Sequence, residues 1–245
     1  MIEALKNKIR NGFLDAAIIG GGPLSFSYER MKNLINKRHP EISGWISLQD
    51  INSFVPNSAL EAHFAPKRVR KPELPSFIID GNWDLEKRPI DNEYKQISIS
   101  YRSVMQIFEQ EMHYRECDEY KQKMKLIEET GHSARGKNLD ELDRYFVNLI
   151  SLKNDIEIHG YKTQKELGHD SDDEIGVFVG RSGEILKAED KFCGTHRFAI
   201  AKYLQLPHIY VTVVAVHEEW ANNNIKKFSD RSIEDQLFSQ KERSQ

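Results

Sequence analysis

Four consecutive residues, Gly194, Thr195, His196 and Arg197, combine the residue types of an anion-binding turn. Gly194 can adopt a positive φ angle and lets an anion approach the backbone closely. A helix that begins after the glycine offers its first free N–H groups and the positive end of its dipole to that anion. Arg197 adds a forked, permanently charged donor, and His196 adds a donor whose charge depends on pH. The tetrapeptide therefore predicts a phosphate site.

A structural role explains the same four residues equally well when only their chemistry is considered. In that interpretation Gly194 belongs to a turn and Thr195 caps the helix. Arg197 then forms an ion pair with a carboxylate such as Glu184 or Asp190. Residue types alone do not separate the two interpretations.

Carboxylates elsewhere in the sequence could meet a second requirement of phosphoryl transfer. This reaction depends mainly on positioning and charge neutralisation, so an anion-binding turn, one carboxylate and Mg²⁺ can suffice. The candidate carboxylates are Asp80 and Asp84 in IIDGNWDLEKRPI, Glu184 between two apolar runs, and Asp190 just before the turn. Asp80 and Asp84 are equally compatible with an Asx turn, and Trp83 between them favours a packing role.

The elements around the Gly194–Arg197 turn follow from the spacing of apolar residues. Asn138, with Glu141 three residues later, predicts the start of a helix whose apolar residues recur every three or four positions. In IGVFVGRSGEILKA, a polar Gly-Arg-Ser-Gly-Glu centre between apolar runs predicts a β-hairpin. A helix from Thr195 and a buried strand in HIYVTVVAV are predicted to follow.

This order of elements resembles the core of the ParB/sulfiredoxin superfamily. The resemblance extends from about Leu142 to Val216, about a third of the chain, and includes Gln164 in GYKTQ and the Gly194–Arg197 turn. In that superfamily the equivalent turn holds nucleotide phosphates. The resemblance implies an α+β fold, with a small mixed sheet of ParB/sulfiredoxin type and helices, preceded here by a helix-rich N-terminal extension.

Departures from the superfamily pattern narrow the implied activity. Sulfiredoxin carries its catalytic cysteine at the position of Thr195, whereas Cys193 lies on the other side of the glycine, so repair of sulfinylated cysteine is not expected. Chromosome-partitioning ParB proteins carry a glutamate at the Thr195 position and a second arginine where this chain has Ala199. The sequence after Trp220 is also expected to be too short for their DNA-binding domain.

Small-molecule kinases, such as the free-serine kinases, form a third branch of the superfamily. Resemblance to them implies a nucleotide-dependent phosphotransferase that acts on a small hydroxylated molecule, with ATP or ADP and Mg²⁺ as the expected cofactors. The Gly194–Arg197 turn would hold the phosphates, and the candidate catalytic residues are Asp84, Glu184 and His196. The alternatives are a non-catalytic regulator that binds a nucleotide or a nucleic acid, and a ParB-like nuclease.

Composition argues against several other classes of protein. A chain of 245 residues, 39% of them hydrophobic, can bury one sizeable core or two small ones. No apolar run approaches the ~18 residues of a membrane-spanning helix, and no signal peptide is recognised. Cys117 and Cys193 lack the spacing of a zinc site, and the net charge of -3 does not favour non-specific nucleic-acid binding. We therefore expect a cytoplasmic protein.

The chain is predicted to divide at the polar stretch GHSARGK into an extension, residues 1–135, and a core, residues 136–220, followed by a helical tail, residues 221–245. Within the extension, one helix is predicted at Pro23–Lys37 and two within Gln96–Glu129, with a strand in SFIID.

Three further stretches have residue types that could bind a ligand, but their patterns favour other roles. The non-catalytic alternative would use Lys67–Lys71 together with the Gly194–Arg197 turn. The basic stretch Lys67–Lys71 and the acidic stretch His169–Glu174 have the composition of solvated loops. AAIIGGGPLSF places Ser25 at the third glycine position of a dinucleotide-binding motif, which favours a Gly-rich hinge instead.

Overall fold

The computed structural model describes residues 42–64, 78–90, 92–169, 174–189, 194–224 and 237–238. These residues form a mixed α+β fold, in which a seven-stranded mixed sheet packs against helices. The predicted α+β class is therefore confirmed. Among the described residues, no helix is both long enough and apolar enough to cross a membrane.

Seven strands make up the sheet: β1 Ser43–Ser47, β2 Ser53–Val55, β3 Ile78–Ile79, β4 Arg88–Pro89, β5 Ile175–Val179, β6 Ile185–Ala188 and β7 His208–His217. They are arranged in the order β1-β7-β5-β6-β2-β4, and β3 pairs with the C-terminal end of β7. Both β3 and β5 run parallel to β7. The carboxyl ends of β3, β5 and β7 consequently meet at one edge of the sheet.

Seven α-helices lie within the described residues: α1 Asn57–Phe64, α2 Asn92–Ile97, α3 Ile99–Phe108, α4 Asp118–Thr130, α5 Leu139–His159, α6 Thr195–Tyr203 and α7 Glu218–Asn224. The helix predicted after Asn138 is confirmed as α5, and the Asn138 Oδ1 accepts a hydrogen bond from the Glu141 N–H at 2.9 Å. The helix predicted from Thr195 is confirmed as α6.

Local signals in Gln96–Glu129 also match the structure. The two predicted helices are present as α3 and α4, and Gly131 ends α4 with a φ of 80° in the left-handed region. The strand predicted in SFIID includes β3, and the predicted hairpin is formed by β5 and β6. The predicted helix at Pro23–Lys37, the Gly-rich stretch and Lys67–Lys71 lie outside the described residues.

The sheet crosses the predicted boundary at residues 135 and 136. Strands β1, β2, β3 and β4 precede the boundary, whereas β5, β6 and β7 follow it. Because β1 and β3 pair with β7, and β2 pairs with β6, the two parts of the chain share one sheet. The described part of the predicted extension thus contributes four strands as well as helices.

Strand β5 lies in the middle of the hydrophobic core. All five of its residues are buried, as expected for a strand that is covered on both faces of the sheet. Val177 and Val179 belong to one cluster of buried apolar side chains, and Phe178 belongs to another. The candidate site residues lie near the two ends of this buried strand.

Candidate functional site

Gly194 lies directly before α6 and packs against the backbone at the beginning of β5. Its φ is 78°, and a Cβ atom at this position would lie 2.7 Å from the Ile175 Cα, which is closer than real contacts allow. Only glycine accommodates both the positive φ and the neighbouring backbone. The first turn of α6 is therefore fixed against the N-terminal end of β5.

Arg197 is buried beside this turn, with only 5% of its surface exposed to solvent. Its guanidinium lies over the Tyr161 ring at 4.6 Å, and Nη2 donates a hydrogen bond to the Lys162 carbonyl oxygen. The Nη1 atom is 3.7 Å from the Glu174 Oε2, too far for a hydrogen bond. Among the described residues, neither Nε nor Nη1 of Arg197 has a hydrogen-bond acceptor.

This environment combines features of both interpretations of Arg197. Among the described residues, the carboxylate beside its guanidinium belongs to Glu174 and not to Glu184, whereas Asp190 lies outside the described residues. Glu174 Oε1 also accepts a hydrogen bond from the Gln164 N–H at 2.5 Å. The charge of Arg197 therefore has a nearby counterion, whereas two of its nitrogens have no acceptor within the described residues.

His196 belongs to a separate polar group, the Glu119 cluster, which consists of Glu119, His196, Tyr145, Arg135 and Ser100. The Glu119 Oε2 accepts a hydrogen bond from the His196 Nε2 at 2.7 Å. Its Oε1 accepts hydrogen bonds from the Arg135 Nε at 3.1 Å and the Ser100 hydroxyl at 3.3 Å. The Tyr145 hydroxyl lies 3.1 Å from the His196 Nδ1. Both ring nitrogens of His196 are therefore engaged.

The electrostatics of the Glu119 cluster favour an ionised carboxylate and a protonated phenol. Burial raises the pKa of Glu119, but attraction by His196 and Arg135 outweighs burial and holds this pKa well below its usual range. Burial raises the pKa of Tyr145 to about 12, with Arg135 lowering it and Glu119 raising it further. Glu119 thus acts as an acceptor, and Tyr145 keeps its proton at neutral pH.

We expect Glu119→Gln to destabilise the protein at pH 7 and to remove part of the acid sensitivity of its stability. Because the folded-state pKa of Glu119 lies below its unfolded value, its stabilisation is present above about pH 4.5 and is lost as the pH falls through the folded-state pKa. Urea unfolding from pH 7 to pH 3 measures this effect.

The unfolding free energies of the wild type and Glu119→Gln should converge as the pH falls. The control is Glu157→Gln, which removes an exposed carboxylate that binds Lys153 on α5. Its unfolding free energy should stay within about 1 kcal/mol of the wild type throughout. A constant difference between the wild type and Glu119→Gln would contradict a charge-dependent role.

Asp84 lies in a second polar group at the carboxyl ends of β3, β5 and β7. It is 1% exposed, and its carboxylate accepts hydrogen bonds from the Arg181 backbone N–H at 2.8 Å and from the Arg181 guanidinium at 2.9 to 3.2 Å. Burial raises the pKa of Asp84, but its hydrogen bonds with Arg181 outweigh burial and lower this pKa overall. His217 donates from Nε2 to the Gly81 carbonyl oxygen and accepts at Nδ1 from the Glu219 N–H.

Glu184 belongs to the same end of the sheet as Asp84. Its Oε1 accepts a hydrogen bond from the Lys87 Nζ at 2.5 Å, and its Oε2 accepts one from the Ser182 N–H at 3.0 Å. The turn that contains Glu184 follows the last residue of β5, whereas Gly194 contacts the first. At about 3.3 Å per residue, the length of β5 separates the two sites by roughly 15 Å.

The structure therefore divides the predicted catalytic residues between two places. His196 lies at the first turn of α6 with Gly194, Thr195 and Arg197, whereas Asp84 and Glu184 lie at the opposite end of β5 and bind basic side chains. The preference for Trp83 as a packing residue is confirmed, since this side chain is fully buried.

Magnesium ligands are not evident in the described part of the chain. No group of three or more His, Cys, Asp or Glu side chains is arranged there to hold a metal ion. Proteins often bind Mg²⁺ through only one or two carboxylates together with the phosphates of a substrate. Asp190, the candidate carboxylate that comes just before the Gly194–Arg197 turn in the sequence, lies outside the described residues.

Glu119, Tyr145 and Glu174 are site residues that the sequence analysis did not identify. Tyr145 lies within the helix predicted after Asn138, where the spacing of apolar residues alone indicates a packing role. Glu174 ends a stretch that was predicted to be a solvated loop, and that prediction is wrong for this residue, which is 1% exposed. Its position directly before a buried strand was the available signal. Glu119 carried no comparable signal, because its partner His196 is 77 residues away.

Comparisons with known proteins do not assign the chain to a family. No family model, curated protein or solved structure matches it significantly.

Proposed function

We propose that this chain is a nucleotide-dependent phosphotransferase that acts on a small hydroxylated molecule and holds the nucleotide phosphates at the Gly194–Arg197 turn. The observation that supports this most directly is the buried guanidinium of Arg197, in which Nε and Nη1 have no acceptor among the described residues. A buried donor without a partner costs about 1–3 kcal/mol, and a phosphate oxygen would remove that cost.

The geometry of the turn supports the same proposal. Gly194 has a left-handed backbone conformation and precedes the nine-residue helix α6. The backbone N–H groups of the first turn of α6 and the helix dipole favour an anion at this position. The resemblance of the surrounding elements to the ParB/sulfiredoxin core supports a nucleotide as the source of the phosphate. ATP or ADP with Mg²⁺ remains the proposed cofactor, and the metal would neutralise charge on the phosphates.

The structure also favours different roles for the predicted catalytic residues. Asp84 and Glu184 bind Arg181 and Lys87 at the far end of β5, so they are better suited to stabilising that edge of the sheet. His196 is next to the proposed phosphate site and is bound to a buried carboxylate. Proton transfer from the acceptor hydroxyl is therefore assigned to the side of the site that contains His196.

We expect nucleotide binding to raise the melting temperature of the wild type and to have little effect on Arg197→Lys. Lysine retains a positive charge beside Glu174 but lacks the Nε and Nη1 donors. At a ligand concentration of 100 times Kd, the wild type should gain about 2.7 kcal/mol, equivalent to about 5–10 °C. The measurement is a thermal-shift titration with ATP, ADP, CTP and GTP, each with and without Mg²⁺.

The control variant is Arg102→Lys, because Arg102 is also a helical arginine that binds a carboxylate and backbone carbonyl oxygens. This variant should keep the full nucleotide shift. If no nucleotide shifts the wild type, the proposal is contradicted, and Arg197 is then a structural partner of Glu174. An equal shift in the wild type and Arg197→Lys would place nucleotide binding elsewhere.

A further inference from the structure

We propose that Glu119, His196 and Tyr145 form a proton relay that receives the proton of the acceptor hydroxyl, with the Tyr145 hydroxyl as its substrate-facing end. This inference rests on the proposed phosphotransferase function. It gives His196, until now only a candidate catalytic residue, the role of final proton acceptor, and it adds Tyr145 and Glu119 to the proton path. The three side chains come from α4, α6 and α5, respectively.

The hydrogen bonds of His196 determine the direction of the relay. The ionised Glu119 carboxylate can only accept, so the His196 Nε2, 2.7 Å away, carries a proton. In the neutral imidazole, Nδ1 then has a free lone pair, which faces the Tyr145 hydroxyl at 3.1 Å. His196 is therefore arranged as a base toward Tyr145, with Glu119 holding its orientation.

Of the three side chains in the relay, Tyr145 is the most exposed. Glu119 is 1% exposed and His196 is 8% exposed, whereas Tyr145 is only partly buried. Because both ring nitrogens of His196 are occupied by protein partners, an acceptor molecule cannot use His196 directly without displacing one of them. A proton can reach His196 through the Tyr145 oxygen while all of these contacts are kept.

The proton transfer is balanced at each atom. As the acceptor oxygen attacks the transferred phosphorus, its proton moves to the Tyr145 oxygen, and the Tyr145 proton moves to the His196 Nδ1. The products are a neutral phenol and an imidazolium that donates to both Glu119 and Tyr145. The leaving nucleoside diphosphate takes the electron pair of the broken P–O bond. Tyr145 thus remains a neutral phenol before and after the step.

The surroundings of the relay are arranged for this change of charge. Among the described residues, Glu119 and Tyr145 contact the imidazole. Arg135 binds the other oxygen of the Glu119 carboxylate. Arg135 also lies over the Tyr145 ring at 4.9 Å, where it stabilises negative charge that develops on the phenol oxygen. Ser100 provides a further hydrogen bond to Glu119. Glu119 and Arg135 are positioning residues, and Tyr145 is the proposed catalytic residue.

The test compares Tyr145→Phe with Tyr120→Phe. Both variants remove one hydrogen-bonded phenol oxygen from neighbouring helices, but the Tyr120 hydroxyl binds Asp143 instead of His196. Each variant is assayed for nucleotide binding by thermal shift and for transfer from [γ-³²P]ATP to glycerol, free L-serine and myo-inositol. The nitrogen shifts of the His196 ring, measured by ¹⁵N NMR, report the tautomer independently of activity.

We expect Tyr145→Phe to bind ATP like the wild type and to transfer phosphate about 10²–10⁴ times more slowly, with a changed pH profile. Tyr120→Phe should stay within a few-fold of the wild type. In the wild type, neutral His196 should carry its proton on Nε2, and Tyr145→Phe should change the Nδ1 shift.

Three results would overturn the relay. Equal transfer rates in the two variants would exclude Tyr145 from the proton path while leaving the phosphotransferase proposal intact. A proton on Nδ1 of neutral His196 would reverse the assigned direction, whatever the activity. Failure of the wild type to bind ATP or to transfer phosphate would contradict the proposed function itself, and the relay would fail with it.

Discussion

Gly194→Ala is expected to lower the free energy of unfolding by about 2–5 kcal/mol and to abolish any nucleotide-dependent thermal shift. The left-handed φ of 78° costs an alanine about 1–2 kcal/mol. The new methyl group would also lie 2.7 Å from the Ile175 Cα, and overpacking of this kind adds about 1–3 kcal/mol. Urea denaturation and the nucleotide titration provide the two measurements.

Gly131→Ala is a matched control for this prediction. Gly131 has a φ of 80°, but no heavy atom lies within 4 Å of the Cβ that an alanine would add. It should therefore show only the backbone cost of about 1–2 kcal/mol and keep the response to nucleotide. If the two variants are equally stable, the contact between the turn and β5 does not restrict the residue at Gly194.

Asp84→Asn is expected to lower the free energy of unfolding by about 2–4 kcal/mol without removing the nucleotide-dependent thermal shift. The Asp84 side chain is fully buried, whereas Arg181 is 24% exposed, so water partly compensates the arginine that loses its partner. The variant affects the carboxyl ends of β3, β5 and β7, roughly 15 Å from the proposed phosphate site by the length of β5. Chemical denaturation gives the loss of stability, and the ATP titration shows whether binding is preserved.

Asp118→Asn serves as the exposed counterpart. It removes the charge of an aspartate that also binds an arginine, Arg102, but its side chain is 41% exposed. Solvent screening should limit its effect to about 1 kcal/mol or less. A wild-type stability for Asp84→Asn would contradict a stabilising role for the Asp84–Arg181 pair, and loss of ATP binding in that variant would assign Asp84 to the binding site after all.

Gly194 and Asp84 lie at opposite ends of the same central strand, β5. The N-terminal end of β5 carries the proposed phosphate turn and, through His196, the Glu119 cluster. The carboxyl end carries a carboxylate–arginine pair that holds the loops after β3 and β5 together. Variants at the two ends are therefore expected to differ in function even where their losses of stability are similar.

The local elements around the site could be predicted from the sequence because their signals lie within a few residues. The cap formed by Asn138 fixes the start of α5, and the left-handed glycine Gly131 fixes the end of α4. The apolar runs on either side of Gly180–Glu184 predicted the β5–β6 hairpin, and the largely apolar run after Pro207 predicted β7. Each of these features depends on backbone geometry and side-chain spacing that neighbouring residues determine.

The partners of these elements were decided only in the tertiary structure. Nothing near β1 in the sequence indicates that it pairs with β7, more than 160 residues later. The same holds for charge: Glu119 can remain ionised in the interior because the fold brings His196 and Arg135 to it, and burial without those partners would have opposed its charge. The sequence alone determined which residue types lie at the N-terminus of α6. Tertiary packing decided that Glu174 accompanies Arg197, that Glu119 and Tyr145 accompany His196, and that Asp84 and Glu184 lie at the other end of the sheet, because long-range pairing and burial depend on the whole chain.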